Sequence, residues 1–262
     1  MKENSVFDEI KAIGRFWPMW SLLASQDIRL RYRRSALGPL WITISMTISI
    51  CVLGFLYAHL FKINMPDYFP YLASGIIAWS LIGGLVNDSC QAFLEATAYI
   101  KNQPSHLTIY LMRAIMRNLL IFAHNLVVYI PIAFIFHVGF GINSLAFIPG
   151  LILLSIIALV WGMVISSIST RYRDFNQITS SLLQVVYFAT PIMWKPEVLP
   201  IKYQWIKDYN PFYHLLNLIR APMLNQSISY YSLAISLLIA LIGFGFFALV
   251  IKKQKHLIVY WV

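Results

Sequence analysis

The stretch RLRYRRSALGPLWITISMTISICVLGFLYAHLF, residues 29–61, places four arginines within six positions. It then runs from residue 35 to 61 without a single Asp, Glu, Lys or Arg. A hydrocarbon core of ~30 Å needs ~20 apolar residues of helix, and this run exceeds that. Thr43, Ser45, Thr47 and Ser49 alternate with apolar residues as a strand would. The length of the run overrides that signal, because a lipid-embedded segment must satisfy its own backbone and a helix does so locally.

Working outward, further runs free of charge cover 68–87, 118–170, 175–194 and 221–251. The second of these is too long for one crossing and breaks around Gly139, Gly141, Asn143 and Ser144. Six transmembrane helices are therefore predicted, at about 36–60, 69–92, 118–138, 146–170, 175–194 and 229–251, in an all-α integral membrane fold. Composition agrees: 59% of the 262 residues are hydrophobic and 11% charged, against about 45–50% and about 25% in soluble domains. The chain divides into an interface-helix region, 1–35, and a six-helix domain, 36–262, with no room for a separate soluble enzyme.

Orientation is read from basic residues. Lys2, Lys11, Arg15 and Arg29 to Arg34 precede the first span. Lys101, Arg113, Arg117, Arg171, Arg173, Lys252, Lys253 and Lys255 fall on the same side. Only Lys62, Lys195, Lys202, Lys207 and Arg220 fall on the other. The richer side, with both termini, is expected in the cytoplasm. The net charge of +10 then reflects topology and attraction to anionic headgroups rather than nucleic-acid binding. The first apolar run starts too late and is too long for a cleavable signal peptide. Cys51 and Cys90 read as apolar thiols, with no disulfide or metal framework.

Several chemistries lack their residues. No histidine begins H-E-x-x-H, no G-x-S-x-G occurs, and no Gly precedes a Lys, so the phosphate-cradling P-loop is missing. Secondary transporters bury ionisable groups near mid-membrane. Here Asp88, His124, His59 and His137 all fall near span ends. The chain reads as a transport component driven from elsewhere, not an enzyme.

Phe7, Ile10, Ile13 and Trp17 recur at helical spacing among Asp8, Glu9, Lys11 and Arg15, the pattern of an amphipathic helix at the membrane interface. Pro18 interrupts it. The arginines then end at a Leu37-Gly38-Pro39 turn. At headgroup depth, Arg29, Arg31, Arg33 and Arg34 are suited to phosphate oxygens, which the planar guanidinium matches two at a time. On a continued ideal helix Arg29 and Arg33 lie about 40° apart, and Arg31 and Arg34 about 60° apart on another face.

This segment, RYRRSALGPLW at 31–41, resembles the R-Y-x-x-S/T-x-L-G-x-L-W signature of permease subunits of ATP-binding-cassette polysaccharide exporters of the O-antigen, capsule and teichoic acid type. Similar pieces follow in order: YLASG at 71–75 with Ala78-Trp79, TRYRDF at 170–175, TPIMW at 190–194 and NPFYHLLNLIRAP at 210–222. The resemblance implies a homodimer in the bacterial inner membrane, with two separate ATPase subunits that bind ATP and Mg. It implies no cofactor on this chain. It also implies a polyprenyl-diphosphate-linked glycan as substrate, met at the cytoplasmic mouth by Arg29, Arg31, Arg33, Arg34, Leu37 and Gly38. The connection bearing Glu95, Tyr99 and Lys101 would couple to the ATPase. A permease of the same architecture moving a drug or another lipid is the alternative.

Three other segments carry expectations. Residues 92–101 suit a short helix that Pro104 ends. Asp88 and Glu95 share one helical face, Arg113 and Arg117 another, so the two sets are expected to pair. Residues 195–226 hold four prolines yet many apolar residues, which fits two re-entrant helices before the last span, with Phe212, Leu215, Leu216 and Ile219 marking the second. Ala158, Gly162, Ser166 and Thr170 form a small-residue packing stripe. Trp41, Trp161 and Trp194 suit interfacial belts, while Phe55, Tyr57, Tyr187 and Phe188 are candidates to stack on sugar rings in a conduit.

Overall fold

A computed structural model describes residues 5–60, 62–102, 106–198 and 200–262. Lys2, Phe61 and Pro104 lie outside the described residues. Among those described, the chain is helical throughout, without strands.

Helices α1 (Val6–Arg15) and α2 (Trp17–Arg31) come first. Ser5 caps α1 reciprocally: its hydroxyl accepts from the Asp8 amide, and its own amide donates to the Asp8 carboxylate at 2.9 Å. That backbone bond holds the Asp8 carboxyl below its ordinary range, so the cap is complete above the usual carboxylate pKa and weakens as pH falls through the lowered value. Pro18 follows a break at Phe16, which separates α1 from α2 as the sequence predicts. It sits at the start of α2, where its missing N–H costs nothing. Phe7, Ile10 and Trp17 point away from the protein, while Glu9 and Ala12 are buried beneath.

The long helices follow: α3 (Leu40–Leu60), α4 (Met65–Glu95), the short α5 (Thr97–Asn102), α6 (Leu107–Ile135) and α7 (Phe147–Arg171). Helix α8 (Phe175–Ala189) leads through 3-10 turns to α9 (Trp205–Asp208) and α10 (Pro211–Met223). Then come α11 (Tyr230–Lys253) and α12 (Lys255–Trp261). Among the described residues, five helices are long and apolar enough to cross a membrane: α3, α4, α6, α7 with its 3-10 lead-in, and α11. Helix α8 has 15 residues, about 22 Å at ~1.5 Å per residue, shorter than a ~30 Å core.

Helix α6 begins at Leu107, well before the 118 expected from the charges, because Arg113 and Arg117 are paired inside the protein rather than marking a helix end. For the same reason α4 runs past Asp88 to Glu95. Helix α4 is the central post. Its most apolar window is 61% buried, against 11% for α3. Ile77, Ala78 and Leu81 of α4 pack with Ile115 and Phe122 of α6, Leu154 and Ile157 of α7, and Leu216 and Ile219 of α10. Nearer the chain ends, Phe93, Leu111, Met163, Phe247 and Ile258 form a second core.

Small residues set the helix spacing. A Cβ on Gly162 would lie 2.8 Å from Ser89 Oγ, and the Ser166 hydroxyl donates to Ser89 O at 2.6 Å. The stripe on α7 thus packs against α4. Trp161 lies midway along α7 and donates to Ile239 O at 3.0 Å. It joins two helices and does not belong to an interfacial belt.

Candidate functional site: a charged collar and a bare basic helix end

The end of the bundle that carries both termini holds two buried ionic groups. Glu9 on α1 is fully buried. Its carboxylate accepts from the Thr108 amide (3.2 Å) and hydroxyl (2.9 Å), faces His106 Nδ1 at 3.3 Å, and pairs with Lys255 Nζ. A lone buried carboxylate is costly, and this set of donors offsets that cost. The first helix, the start of α6 and the last helix are thereby tied together.

The second group centres on Arg117. Its Nε meets Asp88 Oδ2 at 3.0 Å, and its Nη1 meets Glu95 Oε2 at 2.9 Å and Asp27 Oδ2 at 3.2 Å. Asn118 also donates to Asp88 at 2.7 Å. Arg113 departs from the expected pattern. Its guanidinium grips Asp27 with two bonds, Nε–Oδ2 at 2.8 Å and Nη2–Oδ1 at 2.6 Å. Asp27 lies on α2, so the network fastens that helix to α4 and α6. Sequence reading missed Asp27 and Glu9. Asp27 is the lone acid on α2, beside Arg29 and Arg31, and that was the available signal; Glu9 follows Asp8 and carried none.

One turn beyond Asp27, with Ile28 still buried, α2 stops at Arg31 and the chain turns through 32–34. Arg29 and Arg31 are therefore helical, while Arg33 and Arg34 lie on the turn. The two-face arrangement of a continued helix does not hold. All four are exposed, and among the described residues none pairs with a carboxylate. Leu37 is exposed beside them, and Gly38 adopts φ +56°, which a side chain would resist. The result is a bare cluster of guanidiniums on a helix anchored by its preceding turn. Such a cluster favours phosphate oxygens.

Of the coupling candidates, Glu95 is engaged by Arg117, whereas Tyr99 and Lys101 on and beside the outer surface of α5 are exposed. Among the ring candidates, Phe55 and Phe188 face outward. Tyr57 is half-buried. Tyr187 sits 5.6 Å from Trp79, which in turn lies 5.8 Å from Phe212, so it belongs to the packing between α4, α8 and α10. Beside Phe188, Gln177, Ser181 and Gln184 form an exposed polar stripe along α8. Their 4–3 spacing inside a charge-free run was legible but went unread.

At the opposite end, the segment after α8 is clasped by side chains. Tyr68 donates to Met193 O at 2.6 Å, Tyr71 faces Pro191 O at 3.0 Å and Trp194 O at 3.1 Å, and Asn210 donates to Thr190 Oγ1 at 2.9 Å. Arg220, buried on α10, donates to Pro191 O at 2.6 Å and lies 4.4 Å from the Tyr71 ring. Its charge is balanced by the carbonyl-rich C-terminal end of α8 and the ring face.

Comparison with known proteins adds the following. A family model described as ABC-2 type transporter matches residues 19–224. The chain is 21% identical over 245 residues to the O-antigen export system permease protein RfbA of Klebsiella pneumoniae, covering 90% of this chain and 93% of that one. It is 22% identical over 176 residues to RfbA of Myxococcus xanthus, covering 66% of each. It is 24% identical over 211 residues to the polysialic acid transport protein KpsM of Escherichia coli, covering 78% of this chain and 80% of that one.

Proposed function

The chain belongs to the ABC-2 type transporter family, and on that premise we propose that it is the transmembrane subunit of an ATP-driven polysaccharide exporter. The cargo is a polyprenyl-diphosphate-linked glycan, moved from the cytoplasm across the bacterial inner membrane. ATP and Mg act on two separate partner subunits, and two copies of this chain form the path. The similarity to O-antigen and polysialic acid export proteins supports the cargo class. The observation that carries the reading is the bare arginine cluster on an anchored helix end. An exposed cation set without a carboxylate partner among the described residues suits a diphosphate presented at headgroup level.

We propose the following working arrangement. Both termini face the cytoplasm, in accord with the basic-residue bias. The lipid diphosphate meets Arg29, Arg31, Arg33 and Arg34. Force from the ATPase reaches the chain at Tyr99 and Lys101 on α5, and Arg117 and Asp27 carry it to α2. Helix α8 is the sixth crossing, completed by the clasped 190–194 segment and by the re-entrant α9 and α10. Its polar stripe, with Phe55 and Phe188 nearby in the assembled pair, lines a wet conduit.

The decisive experiment is purification of the full complex with its associated lipid, followed by mass spectrometry. A polyprenyl-linked glycan is expected, and a xenobiotic or unglycosylated lipid would overturn the reading. The purified chain alone is expected to hydrolyse no ATP, since it has no P-loop. Contaminant-free hydrolysis by it would be equally fatal.

A further inference from the structure

At the end opposite the termini, beyond the clasp, a cleft of about 560 Å³ is lined by Ile201, Gln204, Trp205, Asp208, Tyr209 and Tyr231. We propose that this cleft is a sugar-binding site, which holds one or two residues of a glycan chain at the outer face. The proposal rests on the export reading for its biological purpose, but the site is argued from its own residues.

The lining has the composition that carbohydrate demands. A sugar ring offers C–H faces to aromatic rings and hydroxyls to planar acceptors. Trp205, Tyr209 and Tyr231 supply three rings, each more than half exposed (56%, 79% and 52%). Asp208 supplies a carboxylate that accepts from hydroxyls, and Gln204 supplies a carboxamide that donates and accepts. The volume lies within the range of small-molecule sites.

The cleft is also built rather than incidental. One wall is α9, and the other is the first turn of α11. His214 of α10, 1% exposed, lies between them. Its Nε2 is 2.9 Å from Asp208 O and its Nδ1 is 3.0 Å from Ser232 Oγ. A carbonyl can only accept, so Nε2–H donates to Asp208, and Nδ1 accepts from the Ser232 hydroxyl. The Tyr231 ring meets the imidazole edge to face at 5.3 Å. A buried histidine thus fixes the spacing of both walls. Residues of an aromatic belt would instead sit at one headgroup depth, each ring facing lipid. Here the rings converge, with a carboxylate and a carboxamide, on one hollow. Asn210, at the α9–α10 junction, is bonded to Thr190 at the end of α8, so the hollow stands where a chain leaving along α8 would pass. Occupation there would resist backward slippage between strokes.

The test uses the full chain in lipid nanodiscs, probed with mannotetraose, galactotetraose and a sialic acid trimer by saturation-transfer NMR. At least one probe is expected to receive saturation from the aromatic protons. Trp205→Ala and Asp208→Asn should each weaken that binding by about tenfold, ~1.4 kcal/mol, with Trp205→Phe losing less. Trp41→Ala, at the other end of the bundle, should change nothing. Trp205 is exposed and Asp208 half-buried, and Asp208→Asn keeps the backbone carbonyl that meets His214, so both variants are expected to keep the fold, which thermal unfolding verifies. If no probe binds, or the site variants bind as tightly as the parent, the proposal fails. It fails too if brominated lipid quenches Trp205 while sugar leaves its emission unchanged, since that describes a membrane anchor. Failure of the export reading shows elsewhere: deleting the chain would leave surface glycan unchanged, whatever the nanodisc result.

Discussion

Arg117 is the residue on which the half of the bundle that holds α1 and α12 depends. Three carboxylates, Asp27, Asp88 and Glu95, lie within 3.2 Å of it. Arg117→Gln would leave them facing one another in a partly dry site with Arg113 alone as counter-charge. Breaking a buried ionic group in this way costs on the order of 3–5 kcal/mol. A large drop in thermal unfolding temperature in detergent is expected, and an unchanged one would show the network to be incidental. The exposed arginines should behave oppositely. Replacing Arg29 and Arg31, or Arg33 and Arg34, by Gln should alter stability by no more than about 0.5 kcal/mol per site. At least one of these pairs should abolish surface glycan at normal protein abundance. Lys should rescue only in part, because it keeps the charge and loses the planar fork. If glycan declines only in step with protein level, the cluster serves topology alone.

Between elements, close helix approach decides the packing. Gly150 on α7 faces the α10 backbone, and a Cβ there would sit 2.4 Å from Leu218 O. A main-chain oxygen inside a helix cannot swing aside, so Gly150→Ala must push α7 from α10. A loss of about 1–3 kcal/mol is expected, read as a lower unfolding temperature. Gly245 on α11 has open space at its Cβ position, so Gly245→Ala is the matched control and should be neutral or slightly stabilising. Equal effects at the two sites would contradict the α7–α10 contact. The stripe at Gly162 and Ser166 was visible as small residues every fourth position. Gly150 was not, because its partner is a carbonyl far along the chain.

At the level of the molecule, topology joins the charged collar to the cleft at the other end. In a cysteine-free background of intact cells, cysteine at Lys202 or Asp208 should react with an impermeant maleimide. Cysteine at Leu216, which is fully buried, should resist it. One at Lys101 should react only after the membrane is opened. Uniform labelling of 202, 208 and 216 would make the region an ordinary solvated loop. Labelling of 101 from outside would reverse the orientation.

Charge-free runs were enough to read an all-helical membrane protein from the residues alone, because they depend on local composition and on the thickness of lipid. The helical pattern of Leu215, Leu216 and Ile219 in α10 was legible for the same reason: it is a period within one helix. The start of α6 was not, since Arg113 and Arg117 look like a boundary until Asp27 and Asp88 are brought beside them. Nor could sequence distinguish Tyr187, packed against Trp79, from Phe188, which faces outward one residue later. Pairing of charges and the facing of adjacent side chains depend on neighbours distant in the chain, and only the tertiary structure supplies those.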